Sequence, residues 1–472
     1  MRKKFLVVIL LLLLVFLSAC VISPPDPNGN NNGGPPRAEA VYLFAINDTH
    51  GAFYSENNYP GLENIAGLLG MLEAKGDKYI KIAVGDVFQG SYISNIHHGL
   101  PMVKALNLME FDAFVIGNHE FDWGIDKIAV YKDGNPENGE ADFPFLAANI
   151  RYKGEKLPWT DDYLIVESEG YKVGIIGVIG YGLESSIAAD KVEGYEFLDP
   201  VPIVENLALK LRSEHLCDLV IAATHNYSSY FNLNVTNFSE ASLVDAIVCA
   251  HTHQRINESE IRLDGYEVPI IQSNDKNQTA GEIIFKFNKS GKLLSAKARH
   301  YYPDRYQADS KVLALIESYA ADIAAGERII GYTVEKLYRD RLGLEITKAM
   351  KNKYQVDVAF INTGGVRETL SPGPITVKDV YQVFPFDNAV ILTDISGSQL
   401  RSLYYNQRSY LYYNDDFDFD AIESDTIYRI AIIDYIYYRS YYTMYFEEYE
   451  PEFTSNLMRD VFIEYLEEYY PL

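Results

Sequence analysis

Short runs of apolar residues, rich in β-branched side chains, recur along the first part of the chain. Such runs occupy residues 41–46, 80–84, 113–116, 173–178, 219–223 and 246–250. Continuous apolar runs of this length are typical of strands that are buried on both faces. Helix-like segments lie between them, at residues 62–75 and 201–213. The alternation predicts a layered α/β domain, and we do not expect its sheet to be wholly parallel.

A second block follows a helical pattern at residues 309–325, where apolar positions repeat at three- and four-residue spacing. Beyond Gly326, strand-like runs resume at residues 356–361, 390–393 and 427–433. The 472 residues, of which 48% are hydrophobic, are enough to bury two ordinary cores. We therefore predict two domains, at residues 40–305 and 327–472, and a linking helix between them at residues 306–326.

Residues 1–20 have the layout of a secretory signal: a basic start, an apolar run from Phe5 to Leu17, and then Ser-Ala-Cys. The run is shorter than the roughly 20 apolar residues that a membrane span needs. Its last four residues resemble the bacterial lipoprotein box, which implies lipidation of Cys20. Residues 21–39 are rich in Pro, Asn and Gly and predict a disordered tether. We expect an exported protein, anchored by lipid to the extracytoplasmic face of the cell membrane.

The formal net charge of −25 bears on the choice of partner. The sequence has no Lys/Arg-rich stretch that could offset this charge locally, so we do not expect a nucleic acid polymer as partner. A small phosphate ester remains compatible, because metal ions and a few arginines can reverse the field locally. Cys217 and Cys249 lie in apolar segments, and we interpret them as buried free thiols, with a disulfide as the alternative.

Polar clusters end most of the predicted strands of the first domain. They are Asp48-Thr49-His50, Gly85-Asp86, Gly117-Asn118-His119-Glu120-Phe121-Asp122, Thr224-His225-Asn226 and His251-Thr252-His253. Side chains at the carboxyl ends of strands can converge on one crevice. Asp, Asn and His together suit divalent ions such as Mn, Zn or Fe(II), and the lack of Cys argues against a closed structural zinc site. Any one cluster could be only a turn or a helix cap, and His97 and His98 have no companion ligand.

In this order and spacing, the clusters resemble those of the calcineurin-like metallophosphoesterases, and specifically of the bacterial 5′-nucleotidase branch. Residues 362–367, Asn-Thr-Gly-Gly-Val-Arg, are similar to the Asn-x-Gly-Gly-x-Arg of that branch. Residues 383–388, Val-Phe-Pro-Phe-Asp-Asn, are similar to its Pro-Phe-x-Asn. The resemblance covers roughly residues 40–435. It implies a layered α/β/β/α metallophosphoesterase domain and a second, smaller α+β substrate-binding domain.

The resemblance also implies two divalent metal ions, Mn, Zn or similar, with Asp86 as the bridging ligand. One ion would be held by Asp48, His50 and His253, and the other by Asn118, His225 and His251. A shared carboxylate can hold two dications about 3.5–4 Å apart. The resemblance makes His119 the acid that stabilises the departing alkoxide, and Asp122 the residue that orients its ring.

In the second domain, the guanidinium of Arg367 is suited to grip a phosphate or carboxylate, with an interdomain salt bridge as the alternative. Phe386 offers a face for base stacking, unless it is a core residue. Asn362 and Asn388 are candidate polar contacts to a nucleoside.

The sequence departs from the branch at two places in this domain. The branch has an Arg ahead of Leu-Gly-Asn, and here either Arg339 or Arg341 matches it, with Leu344 in place of the Asn. We take Arg339 as the candidate substrate contact. The Gly-Gly-Asp-Gly loop that precedes the second stacking aromatic is missing, which leaves Tyr441 and Tyr442 as alternatives.

We therefore expect two-metal hydrolysis of phosphate esters, with 5′-nucleotides as substrates and nucleosides and phosphate as products. A phosphodiesterase or broad-specificity phosphomonoesterase with an altered nucleoside pocket is the alternative. A non-catalytic nucleotide-binding surface lipoprotein is the second alternative, but a binding module has no need for His119 and Asp122. The resemblance also implies that the second domain rotates about the linker to bring substrate to the metals.

Overall fold

The computed structural model describes residues 37–56 and 59–471. The predicted signal sequence, the lipidation of Cys20 and most of the predicted tether therefore lie outside the described residues. Within the described ranges, no helix has both the length and the apolar character needed to cross a bilayer.

The strands of the described chain are short. In chain order they are β1 (Ala40–Ile46), β2 (Tyr79–Val84), β3 (Ala113–Val115), β4 (Phe145–Leu146), β5 (Ile150–Tyr152), β6 (Glu155–Lys156), β7 (Tyr163–Ser168), β8 (Tyr171–Ile179), β9 (Tyr195–Phe197), β10 (Leu219–His225), β11 (Ala246–Val248), β12 (Ile256–Ile261), β13 (Glu267–Gln272), β14 (Ala280–Phe287), β15 (Leu293–Tyr301), β16 (Ile329–Thr333), β17 (Val358–Asn362), β18 (Gly373–Thr376), β19 (Ala389–Ser396), β20 (Leu411–Tyr413), β21 (Ile427–Ile433) and β22 (Glu452–Leu457).

The helices alternate with these strands in both halves of the chain. They are α1 (Leu62–Glu73), α2 (Tyr92–Ile96), α3 (Leu100–Leu108), α4 (Asp126–Ala129), α5 (Pro200–Ser213), α6 (Ser229–Thr236), α7 (Ser310–Glu317), α8 (Ala320–Gly326), α9 (Arg339–Tyr354), α10 (Val377–Val383), α11 (Gly397–Gln407), α12 (Asp434–Tyr438), α13 (Ser440–Thr443) and α14 (Met458–Tyr469).

Two mixed six-stranded sheets form the centre of the first domain, in the orders β15-β14-β1-β2-β3-β4 and β12-β13-β11-β10-β8-β7. In the first sheet β1 pairs in parallel with β2 and antiparallel with β14, so the sheet is not wholly parallel, as predicted. Apolar side chains such as Leu43, Ile82 and Ile221 pack between the two sheets. Helices α1 and α3 cover the outer face of the first sheet, and α5 and α6 that of the second. The result is the expected α/β/β/α layering.

Strand β1 shows why the apolar runs are continuous. Leu43 and Ala45 point between the sheets, whereas Phe44 and Ile46 pack against the outer helical layer. Because both faces of the strand are buried, no position along it can be polar without a partner. The same constraint places the polar residues of the chain after the strands, at their carboxyl ends.

The smaller domain is built on a five-stranded sheet with the order β20-β17-β21-β19-β22. Only β17 and β21 pair in parallel, and the other neighbours in this sheet are antiparallel. Phe360, Ile391 and Ile432 of the sheet form one core with residues of α9 and α14. This mixed arrangement is the α+β domain that was expected, and its buried core is separate from those of the first domain.

The segment predicted as one linking helix contains two helices, α7 and α8. Asp309 caps the first by accepting the backbone N–H groups of Lys311 at 2.8 Å and Val312 at 3.1 Å. After α7 the Ser318 hydroxyl donates to the Leu315 carbonyl at 2.6 Å, and this side-chain bond accompanies the break before α8. Val312 belongs to the core of the first domain, so α7 packs against that domain and is not a solvent-exposed connection between the two domains.

The two cysteines of the described residues are free and buried, as predicted. Burial raises the pKa of the Cys249 thiol, which keeps it protonated and unreactive.

Candidate active site

The polar clusters of the first domain meet at one edge of the two sheets. Three follow the parallel strands β1, β2 and β3 of the first sheet, and two follow or end β10 and β11 of the second. Their metal-ligating atoms form two groups, each with all atoms within 4.8 Å of one another. The groups are Asp48, His50 and His253, and Asp86, His225 and His251.

Five of the seven candidate metal ligands adopt a left-handed backbone conformation. They are Asp48 (φ 47°), His50 (φ 46°), Asp86 (φ 50°), His251 (φ 78°) and His253 (φ 58°). Such a conformation costs roughly 1–3 kcal/mol at a residue other than glycine, and it persists only where the surroundings impose it. Strain concentrated at the ends of these strands indicates a functional site.

The buried carboxylate of Glu120 shapes two of the ligand loops, and the sequence reasoning gave it no role. It accepts the backbone N–H groups of Asp86 at 3.0 Å, Val87 at 2.9 Å and Gly117 at 2.8 Å. Burial, with a contribution from Asp86, raises the pKa of Glu120 to about 7. Its position in the sequence could have suggested a role, since Glu120 lies inside the polar cluster that contains Asn118 and His119.

In the first group, two imidazole nitrogens face each other. His50 Nε2 and His253 Nε2 are 2.9 Å apart, and Asp48 Oδ1 is 3.7 Å from His253 Nε2. His50 Nδ1 lies 3.2 Å from the carbonyl oxygen of Gln89, so this nitrogen carries the proton and Nε2 presents a lone pair. Burial lowers the pKa of His50 well below its ordinary value and that of His253 to about 4. Two neutral rings with facing lone pairs fit a cation between them.

In the second group, His225 Nε2 lies 3.0 Å from Asp86 Oδ2 and 3.1 Å from Asn118 Oδ1. Asn118 Oδ1 is also 3.0 Å from His251 Nδ1. Burial alone would lower the pKa of His225, but the Asp86 carboxylate outweighs it and raises that pKa to about 9. The cluster therefore attracts positive charge strongly. Its mixture of carboxylate, amide and imidazole donors suits a divalent metal.

His119 lies beside both groups and belongs to neither. Its Nδ1 is 2.7 Å from Asp122 Oδ2, which leaves Nε2 facing the cluster, 3.9 Å from Asp86 Oδ2. Burial would lower the pKa of His119, but Asp122 and Asp86 raise it to about 9. The ring is therefore protonated at neutral pH and is able to act as an acid.

A cavity of about 570 Å³ extends from these residues to the second domain. Four of the predicted substrate residues line it, namely Asn362, Arg367, Phe386 and Asn388. Phe386 is not a core residue, because its ring stacks on His119 at a centroid distance of 5.6 Å and an interplanar angle of 26°. The buried Asn362 Oδ1 has no hydrogen-bond partner among the described residues and lines the cavity.

Arg367 and Arg339 lie in a second cavity of about 250 Å³, which also contains His50, His119 and Phe386. Arg367 makes no salt bridge within the described ranges, and burial, with Arg339 nearby, lowers its pKa. A desolvated guanidinium of this kind gains from an anionic ligand. Arg341, which is about half exposed, instead pairs at 2.6 Å with the buried carboxylate of Glu345, one turn further along α9.

The tyrosine that lines the large cavity together with Phe386 is neither of the two alternatives that the sequence left open. Tyr442 is buried in the core of the second domain, and Tyr441 is 47% exposed. Tyr435 and Arg439 line the large cavity in their place, with the guanidinium carbon of Arg439 4.7 Å from the Tyr435 ring centroid. No local signal marks them, because helix α12 occupies the place of the missing Gly-rich loop.

Comparisons with known proteins agree with this geometry. The family model of the calcineurin-like phosphoesterases matches residues 42–255, and that of the 5′-nucleotidase C-terminal domain matches residues 332–411. The chain belongs to the calcineurin-like phosphoesterases with a 5′-nucleotidase C-terminal domain. This phosphoesterase is accordingly a metal-dependent phosphoester hydrolase.

Several relatives resemble the phosphoesterase over most of its length. A 5′-nucleotidase of Vibrio cholerae serotype O1 is 25% identical over 414 residues, which cover 75% of this chain and 73% of the relative. Endonuclease YhcR of Bacillus subtilis is 27% identical over 402 residues, or 76% of this chain, but the chain spans only 32% of that protein. The crystal structure of a 5′-nucleotidase precursor from Thermus thermophilus has the same fold, with a TM-score of 0.76, 20% identity, and coverage of 91% of this chain and 97% of that one.

The His119–Asp122 pair predicts a pH dependence. Because the pKa of His119 is raised from 6.5 to about 9, the acid form is present below that pH and is lost above it. We expect kcat for an ester with a poor leaving group to fall above about pH 9. In Asp122→Asn this fall should move down towards pH 6.5, and kcat at pH 8 should drop by at least about 10-fold. Asp126→Asn, an exposed acid four residues away, is the control. An unchanged profile in Asp122→Asn would contradict the assignment.

Proposed function

We propose that this protein hydrolyses 5′-nucleotides to nucleosides and phosphate. The observation that carries the proposal is the large cavity, which joins the candidate metal ligands to Phe386, Asn362 and Asn388 of the other domain. Its lining combines an aromatic face and amide groups with cationic and metal-binding groups. Several relatives are 5′-nucleotidases, and this similarity supports the same substrate class.

Two divalent ions, such as Mn or Zn, belong to this proposal. Asp48, His50 and His253 would hold one, Asn118, His225 and His251 the other, and Asp86 would lie between them. When bound, the ions would supply an activated water and neutralise phosphoryl charge. The two groups of ligand atoms and the facing lone pairs of His50 and His253 support this assignment.

The remaining groups act on substrate through their own chemistry. Arg367 and Arg339 bind phosphoryl oxygens, and Phe386 stacks on the base. His119 donates its Nε2 proton to the ester oxygen as the P–O bond breaks, and Asp122 holds the ring in position through Nδ1–H. The nucleoside leaves with that proton, and His119 regains one from solvent.

Phosphate release from AMP tests the proposal. We expect release by the wild type that depends on added Mn, and a fall to the uncatalysed level in Asp86→Ala, because this carboxylate belongs to one ligand group and would be shared by both proposed ions. Asp112→Ala is a matched control, since its carboxylate accepts the Lys81 N–H, at 2.8 Å, elsewhere in the same domain. Equal activity in Asp86→Ala would refute the metal site. Release from p-nitrophenyl phosphate but not from AMP would refute the nucleotide substrate.

A second candidate activity, phosphodiester hydrolysis, is favoured by one observation. The smaller cavity, lined by His50, His253 and Arg339, also adjoins the candidate metal ligands and shares Phe386 with the larger one. A phosphodiester carries a second substituent on phosphorus, and this cavity would hold it.

Narrowing the smaller cavity tests that activity. Ala52 lines it, so Ala52→Trp should lower kcat/KM for bis(p-nitrophenyl) phosphate by at least about 10-fold, because one substituent occupies space in a bound diester. Hydrolysis of p-nitrophenyl phosphate should change by less than about 3-fold. A wild type that does not cleave the diester, or a variant that loses both substrates alike, would exclude this candidate.

We also propose that the protein is exported and held by lipid at Cys20 on the extracytoplasmic face of the membrane. The basic start, the apolar run and the lipoprotein-like tetrad support this localisation. Cells that express the chain and are fed radiolabelled palmitate should incorporate label into the wild type and not into Cys20→Ala. Cys217→Ala is the control, because that thiol is buried. Equal labelling of wild type and Cys20→Ala would contradict the proposal.

A further inference from the structure

The segment Phe384–Asp387 brings Phe386 from the second domain to the ring of His119. The carbonyl oxygen that precedes Phe386, that of Pro385, accepts two side-chain hydrogen bonds from the first domain. Gln89 Nε2 and Asn95 Nδ2 each donate to it at 2.9 Å. We call these two bonds the Pro385 clamp.

Both donors of the clamp belong to the region that follows Asp86 in the chain. Gln89 is 1% exposed and Asn95 is 5% exposed, so neither can exchange its partner for bulk water without a local opening. The carbonyl oxygen of Gln89 faces His50 Nδ1 at 3.2 Å, and Asn95 Oδ1 accepts the Gly90 N–H at 2.8 Å. The residues that bind Pro385 are therefore fixed relative to a candidate metal ligand.

The second domain holds the same segment from its other side. Arg459 donates to the carbonyl oxygens of Phe384 at 3.2 Å and Phe386 at 3.4 Å, and it pairs with Asp387 at 2.5 Å. The backbone N–H of Arg367 donates to the Val383 carbonyl at 2.8 Å, immediately before this segment. Whatever fixes the segment therefore also fixes Arg367 relative to the candidate metal ligands.

We infer that Gln89 and Asn95 are positioning residues that hold Phe386 and Arg367 over the metal centre. A buried carbonyl oxygen without a donor is costly, whereas a single donor satisfies it largely. The two amides are therefore partly redundant, and loss of both affects the interface more than the sum of the single losses. The inference rests on the proposed nucleotide substrate only for its kinetic test.

The clamp matters most for a substrate that reaches the second domain. A nucleotide contacts both Phe386 of the second domain and the metal centre of the first domain, so a shift of the segment changes the distance between its two binding regions. A small ester such as p-nitrophenyl phosphate spans less of that distance. Weakening the clamp should therefore penalise AMP more than the small ester.

Three variants test this. Gln89→Met removes one donor at similar length, Asn95→Asp keeps the acceptor for Gly90 and removes the other donor, and the third combines both. Asn107→Asp is the matched control, because Asn107 makes the same pattern of bonds within the first domain alone: Oδ1 accepts the Asp142 N–H and Nδ2 donates to the Glu140 carbonyl, each at 2.9 Å.

For AMP we expect KM to rise about 3-fold in each single variant and about 100-fold in the double variant, which exceeds the roughly 9-fold product of the single effects. The ratio of kcat/KM for AMP to that for p-nitrophenyl phosphate should fall at least about 10-fold in the double variant and stay unchanged in Asn107→Asp. An equal loss for both substrates, or a changed Mn requirement, would place the effect at His50 and overturn the inference.

Solution scattering provides a readout that needs no substrate. The double variant should have a larger radius of gyration than the wild type, whereas Asn107→Asp should not. If the wild type does not hydrolyse AMP but the double variant expands, the proposed substrate fails and the clamp stands. If neither the radius of gyration nor the ratio of activities changes, Gln89 and Asn95 are not positioning residues.

Discussion

The carboxylate of Glu120 is the interaction on which the candidate site depends. It is fully buried and holds backbone N–H groups of two loops, those that follow β2 and β3. Those loops carry Asp86 and Asn118, two candidate ligands that lie beside His225 and His251. A buried carboxylate is stable only when its oxygens are well satisfied, so the geometry of the loops and the charge of Glu120 are mutually dependent. The backbone contacts of Glu120 therefore determine where the ligand side chains of these two loops lie.

The electrostatics of the site depend on two buried carboxylates, those of Asp48 and Asp86. Asp48 and Asp86 are buried close to each other in a chain of net charge −25, and burial raises the pKa of Asp48 to about 7. Histidines and the desolvated Arg367 surround them, but these groups do not saturate the available oxygens: Asp86 Oδ2 has no hydrogen bond of normal geometry within the described chain, although His225 Nε2 lies 3.0 Å from it. Divalent ions bound here would contact the carboxylate oxygens that the side chains leave without a hydrogen bond.

Much of the first domain could be predicted because its information is local. A strand buried on both faces, such as β1, must be continuously apolar, and the polar residues that follow it stand out in the sequence. The contacts that could not be predicted are long-range or depend on a missing motif. Nothing near Gln89 indicates a partner almost 300 residues away. Tyr435 lies in α12 and Arg439 directly follows it, in a segment that lacks the Gly-rich loop of the family and so has no motif to mark them. The break between α7 and α8 coincides with a side-chain hydrogen bond of Ser318, which the periodicity of apolar positions does not indicate.

The left-handed backbone of the ligand positions limits how this site can change over evolution. Asp, Asn and His are the side chains that tolerate this conformation most readily after glycine, and they are also metal ligands. A β-branched or long side chain at Asp48, Asp86 or His253 would lose a ligand and strain the chain at once. Substitutions at these positions are therefore restricted to a few residue types. A descendant that had lost metal binding would still carry Gly, Asn or Asp at the same positions.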